Sequence, residues 1–313
     1  MFSYTLKKII MTIPTLFILA LLIFMLMRSV PGDPAVLIVG DLADPAVLAQ
    51  VRLELGLDKP AYVQFWLWLS RALGGDLGVS LITGEDILTG LLSRFTVTAQ
   101  VVLVAILFSA SIAIPAGMVA AWRQNRPTDF SIVFLMNVFL SIPGFWMALM
   151  FIFLFGVYLN WLPTIGYVSL AEDFSGGMKY LLMPVLSLVF LEVATLTRMM
   201  RASSIEVLRQ EYVTHARAKG LSEGVVLRRH VFKNAFAPTL TMLGLTLGSL
   251  LGGAAVIETV FTLPGLGRFL VEAIYARDYA VVQGVLIFVA GVYVLVNLCV
   301  DLLYPVLDPR VRL

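Results

Sequence analysis

Six long apolar runs set the frame of the chain: Ile9–Met27, Val97–Ala121, Phe130–Tyr158, Tyr180–Met200, Phe236–Phe261 and Ala280–Tyr304. Each approaches or exceeds the ~20 residues a helix needs to cross a bilayer. The pattern predicts an all-α integral membrane protein with six transmembrane helices. The first run follows Lys7 and Lys8 as a signal peptide would. It is longer than a typical signal core and no small-x-small site follows, so it is read as a span. Pro115, Pro143 and Pro184 fall inside or near the ends of spans, where they are tolerated and can kink the helix. The expected division is residues 1–28 as tail and first helix, 29–95 as an external insert, and 96–313 as the membrane core.

The polar interval 203–238, between the fourth and fifth runs, is the longest on its side. Ser203 or Ser204 is expected to cap a helix start. Ile205, Leu208, Tyr212 and Ala216 then recur at helical spacing as one narrow apolar face. Gly220 suits the left-handed residue that ends such a helix. A second short helix is expected from Ser222, with Glu223 near its positive end and Val225, Val226 and Leu227 following. Pro238 fits the first turn of the fifth span. Two short helices at an angle make either a docking knob for a soluble partner or a basic segment lying on anionic lipid. Physics alone does not separate the two.

Between residues 29 and 94 the insert is acidic, through Asp33, Asp41, Asp44, Glu54, Asp58, Asp76, Glu85 and Asp86. Ala46–Leu57 and Tyr62–Leu73 read as amphipathic helices, and Phe65, Trp66 and Trp68 suit a partly wet interface. The insert reads as a lid on the external helix ends, as a docking surface for a substrate-delivery protein, or as both.

Composition agrees with the run pattern. The 313 residues are 60% hydrophobic and 13% charged, with mean hydropathy +0.94, far from the roughly 45–50% and about 25% of soluble domains. The net charge of +2 says little until the charges are placed. Fourteen Lys and Arg fall on the two termini, the second–third loop and the 203–238 interval with its flanks. Seven fall on the opposite faces, with Arg28 at a boundary. The excess puts both termini and the interval in the cytoplasm. Cys299, the single cysteine, lies in an apolar run and is expected to be a buried small apolar group.

Catalytic signals are missing. The chain has no Gly-Lys step, hence no phosphate loop of the G-x-x-x-x-G-K-[ST] type. Its two histidines, His215 and His230, both lie in the polar interval without nearby cysteine, a poor metal set. An enzyme is not expected. Gly244, Gly248 and Gly252 form a small-xxx-small strip with Gly253 adjacent, read either as packing within this chain or as a seam with a second subunit along a path. Intramembrane acids invite functional suspicion. Glu192 either bonds Thr195 or faces a water-filled path where it can meet an amine or cation, and Glu258 is expected within reach of interfacial water. Asn137 and Asn297 are expected to bond between helices.

Ala216-Arg217-Ala218-Lys219-Gly220-Leu221, with Asn234-Ala235 and Pro238, resembles the coupling (EAA) loop of ABC importer permeases. Thr214 stands where the general consensus has Glu. Val30-Pro31-Gly32-Asp33-Pro34, Leu55-Gly56-Leu57-Asp58-Lys59-Pro60 and Gly75-Asp76-Leu77-Gly78-Val79-Ser80 resemble the B-type permeases of the dipeptide, oligopeptide, glutathione and nickel branch. So do Pro264-Gly265-Leu266-Gly267-Arg268, Arg277-Asp278-Tyr279 and the tail 297–312. The resemblance implies a permease subunit in a bacterial inner membrane, paired with a homologous second permease as a heterodimer and surrounded by lipid. It also implies two cytoplasmic ATPases that bind ATP and Mg, an extracytoplasmic binding protein, no cofactor in this chain and no nucleic acid. It assigns coupling to Glu211, Tyr212, Ala216, Arg217, Ala218, Lys219 and Gly220. Gly244, Gly248, Gly252 and Glu192 stay candidates for packing or the path. Peptide is the favoured solute class, with glutathione, nickel or an opine-like compound as alternatives. A stand-alone secondary transporter or channel, and a membrane scaffold, are the rivals from other classes.

Overall fold

The structure is a computed structural model that describes residues 2–30, 34–39, 44–54 and 56–307. Residues 31–33 of the first motif, Asp41, Leu55 and the tail arginines Arg310 and Arg312 lie outside the described residues. The described chain is helical, and five helices are long and apolar enough to cross a membrane. They are α1 (Phe2–Ser29), α5 (Ile87–Trp122), α8 (Phe174–Leu208), α11 (Phe232–Val260) and α13 (Tyr279–Leu307). The insert carries α2 (Pro34–Val39), α3 (Pro45–Glu54) and α4 (Ala61–Leu73).

The third apolar run departs from expectation. It forms α6 (Pro127–Ser141) and α7 (Gly144–Phe151), the latter running into a wide π-type turn at Ile152–Tyr158. The two halves bend by 91°. Pro143 lacks an N–H and drives Ile142 to extended backbone (φ −101°, ψ 122°), which stops α6.

The central layer is α5 against α8, the most extensive helix pair, with α11 and the bent α6–α7 packed around it. Val101, Ala105, Leu181, Val185, Leu196 and Ala254 are among its buried residues. A second cluster joins the first turns of α5 to α13 and to α12 (Leu266–Tyr275) through Ile87, Leu91, Leu266 and Val285. α1 packs on α13, and Lys8 Nζ donates to Asp301 at 2.7 Å, bringing the start of α1 and the last turns of α13 to one side of the bundle.

On the opposite side, sequence motifs far apart in the chain interlock. Ser80 donates to Asp278, both buried, joining the 75–80 and 277–279 motifs. Asp278 Oδ1 also accepts from Val281 N–H at the start of α13. Asp86 caps α5, and the Thr89 hydroxyl and N–H hold its carboxyl below the usual carboxylate range. Arg94 grips Glu85 through both terminal nitrogens (3.1 and 3.2 Å) and lies 4.0 Å over the Phe269 ring.

Several local expectations change. Phe65 is buried rather than partly wet, because it meets Phe17 and Phe24 of α1 edge-on; Trp66 stays exposed. Glu258 is fully buried, out of reach of interfacial water. Cys299 is exposed on the outer face of α13 rather than buried. Asn297 bonds the Tyr293 carbonyl of its own helix and Asn137 is exposed, so neither makes the expected interhelical bond.

Candidate functional site

The 203–238 interval is built differently from its sequence reading. α8 passes straight through Ser203 and Ser204, which are buried and cap nothing, and ends at Leu208. Ile205 and Leu208 therefore close α8, while Tyr212 and Ala216 belong to a separate helix, α9 (Glu211–Ala218), that starts from Gln210. The segment after Ser222 is not a free second helix. α10 (Glu223–Val225) and a π-type turn at Val226–Val231 run without a break into α11, so Pro238 lies inside a helix rather than in its first turn.

α9 ends as expected. Gly220 has φ +79°, its N–H donates to the Arg217 carbonyl at 2.9 Å, and Leu221 N–H donates to the Ala216 carbonyl at 3.4 Å. This pair of bonds is the Schellman arrangement, which ties off carbonyls that a helix end leaves free. No neighbour lies within 4 Å of where a Gly220 side chain would start, so backbone conformation, not crowding, selects glycine here.

α9 is anchored by one face. Val213 and Ala216 enter a small core with Met200, Val226, Val231 and Ala235. Two ion pairs hold the surroundings. Arg217 grips Glu223 through Nε (2.7 Å) and Nη2 (3.2 Å), and the Trp122 side chain bonds the same carboxylate. Arg201 grips buried Asp129 through Nε (2.6 Å) and Nη2 (2.7 Å), and Asn125 N–H donates to it at 3.0 Å. The ends of α5, α6 and α8 and the start of the α10–α11 helix are thus fastened into one head around α9. Glu211, Thr214, His215, Ala218, Lys219 and Gly220 remain exposed on its outside. Of the residues singled out from sequence, Ala216 points inward, Arg217 is held within the chain, and Tyr212 is 37% exposed.

The ion pairs were not legible in the sequence. Asp129 and Arg201 are 72 residues apart, and the one local hint was an acid just after Pro127, a favourable place at a helix start.

The glycine strip divides. A side chain at Gly244 would strike Val300, and one at Gly248 would strike the Tyr293 ring, so these two let α11 lie close on α13. Gly252 and Gly253 meet no neighbour within 4 Å, and Gly253 lies beside exposed Ser249 and Val256. There a cavity of about 320 Å³ opens between α7, α8 and α11. Glu192 lines it, bonded to Thr246 of α11 rather than to Thr195, whose hydroxyl goes to the Leu191 carbonyl.

Toward the other end of α11, Glu258 accepts from the Thr98 hydroxyl, from Arg268 N–H at 2.9 Å and from Gly267 N–H. Thr98 in turn accepts from Leu266 N–H at 2.8 Å. The 264–268 motif is therefore the start of α12, locked to α5 and α11 by one buried carboxylate. Among the described residues no group of three or more His, Cys, Asp or Glu could hold a metal ion.

Comparison with known proteins gives a consistent result. The family described as the binding-protein-dependent transport system inner membrane component matches residues 113–313, and the N-terminal family of such membrane components matches residues 1–102. A dipeptide transport system permease protein of Alkalihalophilus pseudofirmus is 37% identical over 332 residues, covering 100% of both chains. A glutathione transport system permease protein of Escherichia coli is 39% identical over 313 residues, covering 100% of this chain and 99% of its own. In fold, a chain from an inward-facing structure of the MetNI methionine ABC transporter aligns with TM-score 0.58 at 20% identity, covering 70% of this chain and 96% of that one.

Proposed function

The chain belongs to the family of binding-protein-dependent transport system inner membrane components, and from that premise we propose that it forms half of a path for peptide-like solutes and is driven through α9. It is a membrane permease of an ABC importer, a transport subunit, and the family implies ATPase and substrate-binding partners. In our reading the partners bind ATP and Mg, a homologous permease completes the path as a heterodimer, and the α9 head and both termini face the cytoplasm of an inner-membrane cell. The Lys and Arg distribution supports that orientation.

One observation carries the reading. α9 turns only Val213 and Ala216 inward and presents Glu211, Ala218, Lys219 and Gly220 outward, on a head that joins four other helix ends. A push on α9 would therefore move α8 and α11 together rather than bend a loop. Ala216 and Arg217 then position the contact surface, Tyr212 sits at its edge, and Glu211 and residues 218–220 meet the ATPase. The transport step requires contacts that differ between two states, since equal contacts bias neither.

Peptides are the proposed solute class because the relatives are named for dipeptide and glutathione, both peptidic. Co-reconstitution with the second permease, the ATPases and the binding protein tests this. Peptide uptake that needs ATP, and is lost in Gly220→Asp while hydrolysis continues, is expected. ATP-independent uphill uptake by this polypeptide alone would refute it.

A further inference from the structure

Glu192 lies near the middle of α8, buried, on the wall of the cavity between α7, α8 and α11. The other polar side chains on that wall are Ser187 and Ser249. Ser187 donates its hydroxyl proton to the Met183 carbonyl at 2.8 Å, and Ser249 donates to the Thr246 carbonyl at 2.9 Å. Each hydroxyl therefore offers only lone pairs to the cavity. Glu192 uses one acceptor position on Thr246 and has others left. No Lys, Arg, His, Asn or Gln lines the space.

A wall whose polar side chains are all acceptors, with one carboxylate and no cation to neutralise it, calls for a ligand rich in N–H donors and positively charged. An isolated buried carboxylate is costly, and a charge-assisted bond to a cation offsets that cost. One carboxylate and two hydroxyls are too few oxygens for a hard divalent ion, which takes six or more. They suit the three N–H bonds of a primary ammonium. The cavity opens on the side of α11 where Ser249, Gly253 and Val256 are exposed, so the site is reachable from outside this chain's own core.

We propose that this cavity is a recognition site for the amino terminus of the transported peptide, with Glu192 as its counter-charge and Ser187 and Ser249 as supporting acceptors. This rests on the peptide-permease reading above. It places one end of the solute at mid-membrane.

The test uses the complete reconstituted complex and two probes, trialanine and N-acetyl-trialanine, with kcat/KM for uptake measured for each. The binding protein is common to all samples, so its own preference cancels when the ratio of the two probes is compared between variants. Glu192→Gln is expected to lower the free-amine to acetylated ratio about tenfold or more, the range of a lost charge-assisted bond. Ser249→Ala, at an exposed position that does not threaten folding, is expected to lower it about threefold. An unchanged ratio in both variants overturns the proposal, as does an equal fall for both probes, which marks a purely structural carboxylate. Failure of the unaltered complex to take up either probe overturns the peptide reading itself and this inference with it.

Discussion

Removing the Arg217–Glu223 pair should loosen α9 without unfolding the protein. The two side chains are 37% and 40% exposed, so their attraction is screened and is worth at most about 1 kcal/mol even in bidentate geometry. Against about 5–15 kcal/mol for a whole domain that is small. Against α9 it is not, because eight residues are held by two buried side chains, one of them alanine. A loss of about 1 kcal/mol shifts the docked-to-undocked ratio of the helix roughly fivefold. Glu223→Gln should therefore raise amide exchange in residues 211–219 about fivefold while leaving the centres of α5 and α8 protected. In the reconstituted complex, uptake per ATP hydrolysed should fall. The charge swap Arg217→Glu with Glu223→Arg should recover part of both. A double-mutant cycle with no coupling between the two positions would refute the reasoning, as would unchanged exchange in α9.

The other expectations concern the remaining fastenings. Asp129→Asn leaves the half-buried Arg201 without its counter-charge and with one acceptor in place of two, and should destabilise the purified complex by about 2 kcal/mol, seen as a lower melting temperature; no change would make the pair incidental. Glu258→Gln keeps the shape but removes the charge from three bonds at the start of α12, so cleavage by added protease near residues 262–268 should rise, and equal protection would contradict the lock. Gly248→Leu should press on Tyr293 and cost about 1–3 kcal/mol, with Tyr293→Ala restoring much of it; absence of rescue would mean the strip acts elsewhere.

How much of this was legible in the sequence follows from the range of each force. Crossing a bilayer needs ~20 apolar residues in a row, a one-dimensional requirement, so the spans stood out. Gly220 stood out for a similar reason, since a left-handed residue after a polar helix is a local demand. Ser203 and Ser204 misled because serine serves as a cap or, buried between packed helices, as a small side chain, and only the neighbours decide. The proline at 143 announced a kink but not its 91° size, which depends on what the two halves pack against. The bonds Ser80–Asp278 and Thr98–Glu258 join residues 198 and 160 apart, beyond any local pattern. Glu192 drew attention as an acid in a span, yet its partner and its cavity depended on the placement of α11.

The central claim is that an ATPase partner acts on the outward face of α9. Its most direct measurement is a disulfide cross-link from Lys219→Cys, in a Cys299→Ser background, to cysteines placed in the ATPase surface. The account predicts a bond to the ATPase that forms in the intact complex, blocks uptake, and releases it on reduction. A Lys219→Cys thiol that reacts from the external side of sealed vesicles, or an ATPase bond that leaves coupled uptake untouched, would contradict it.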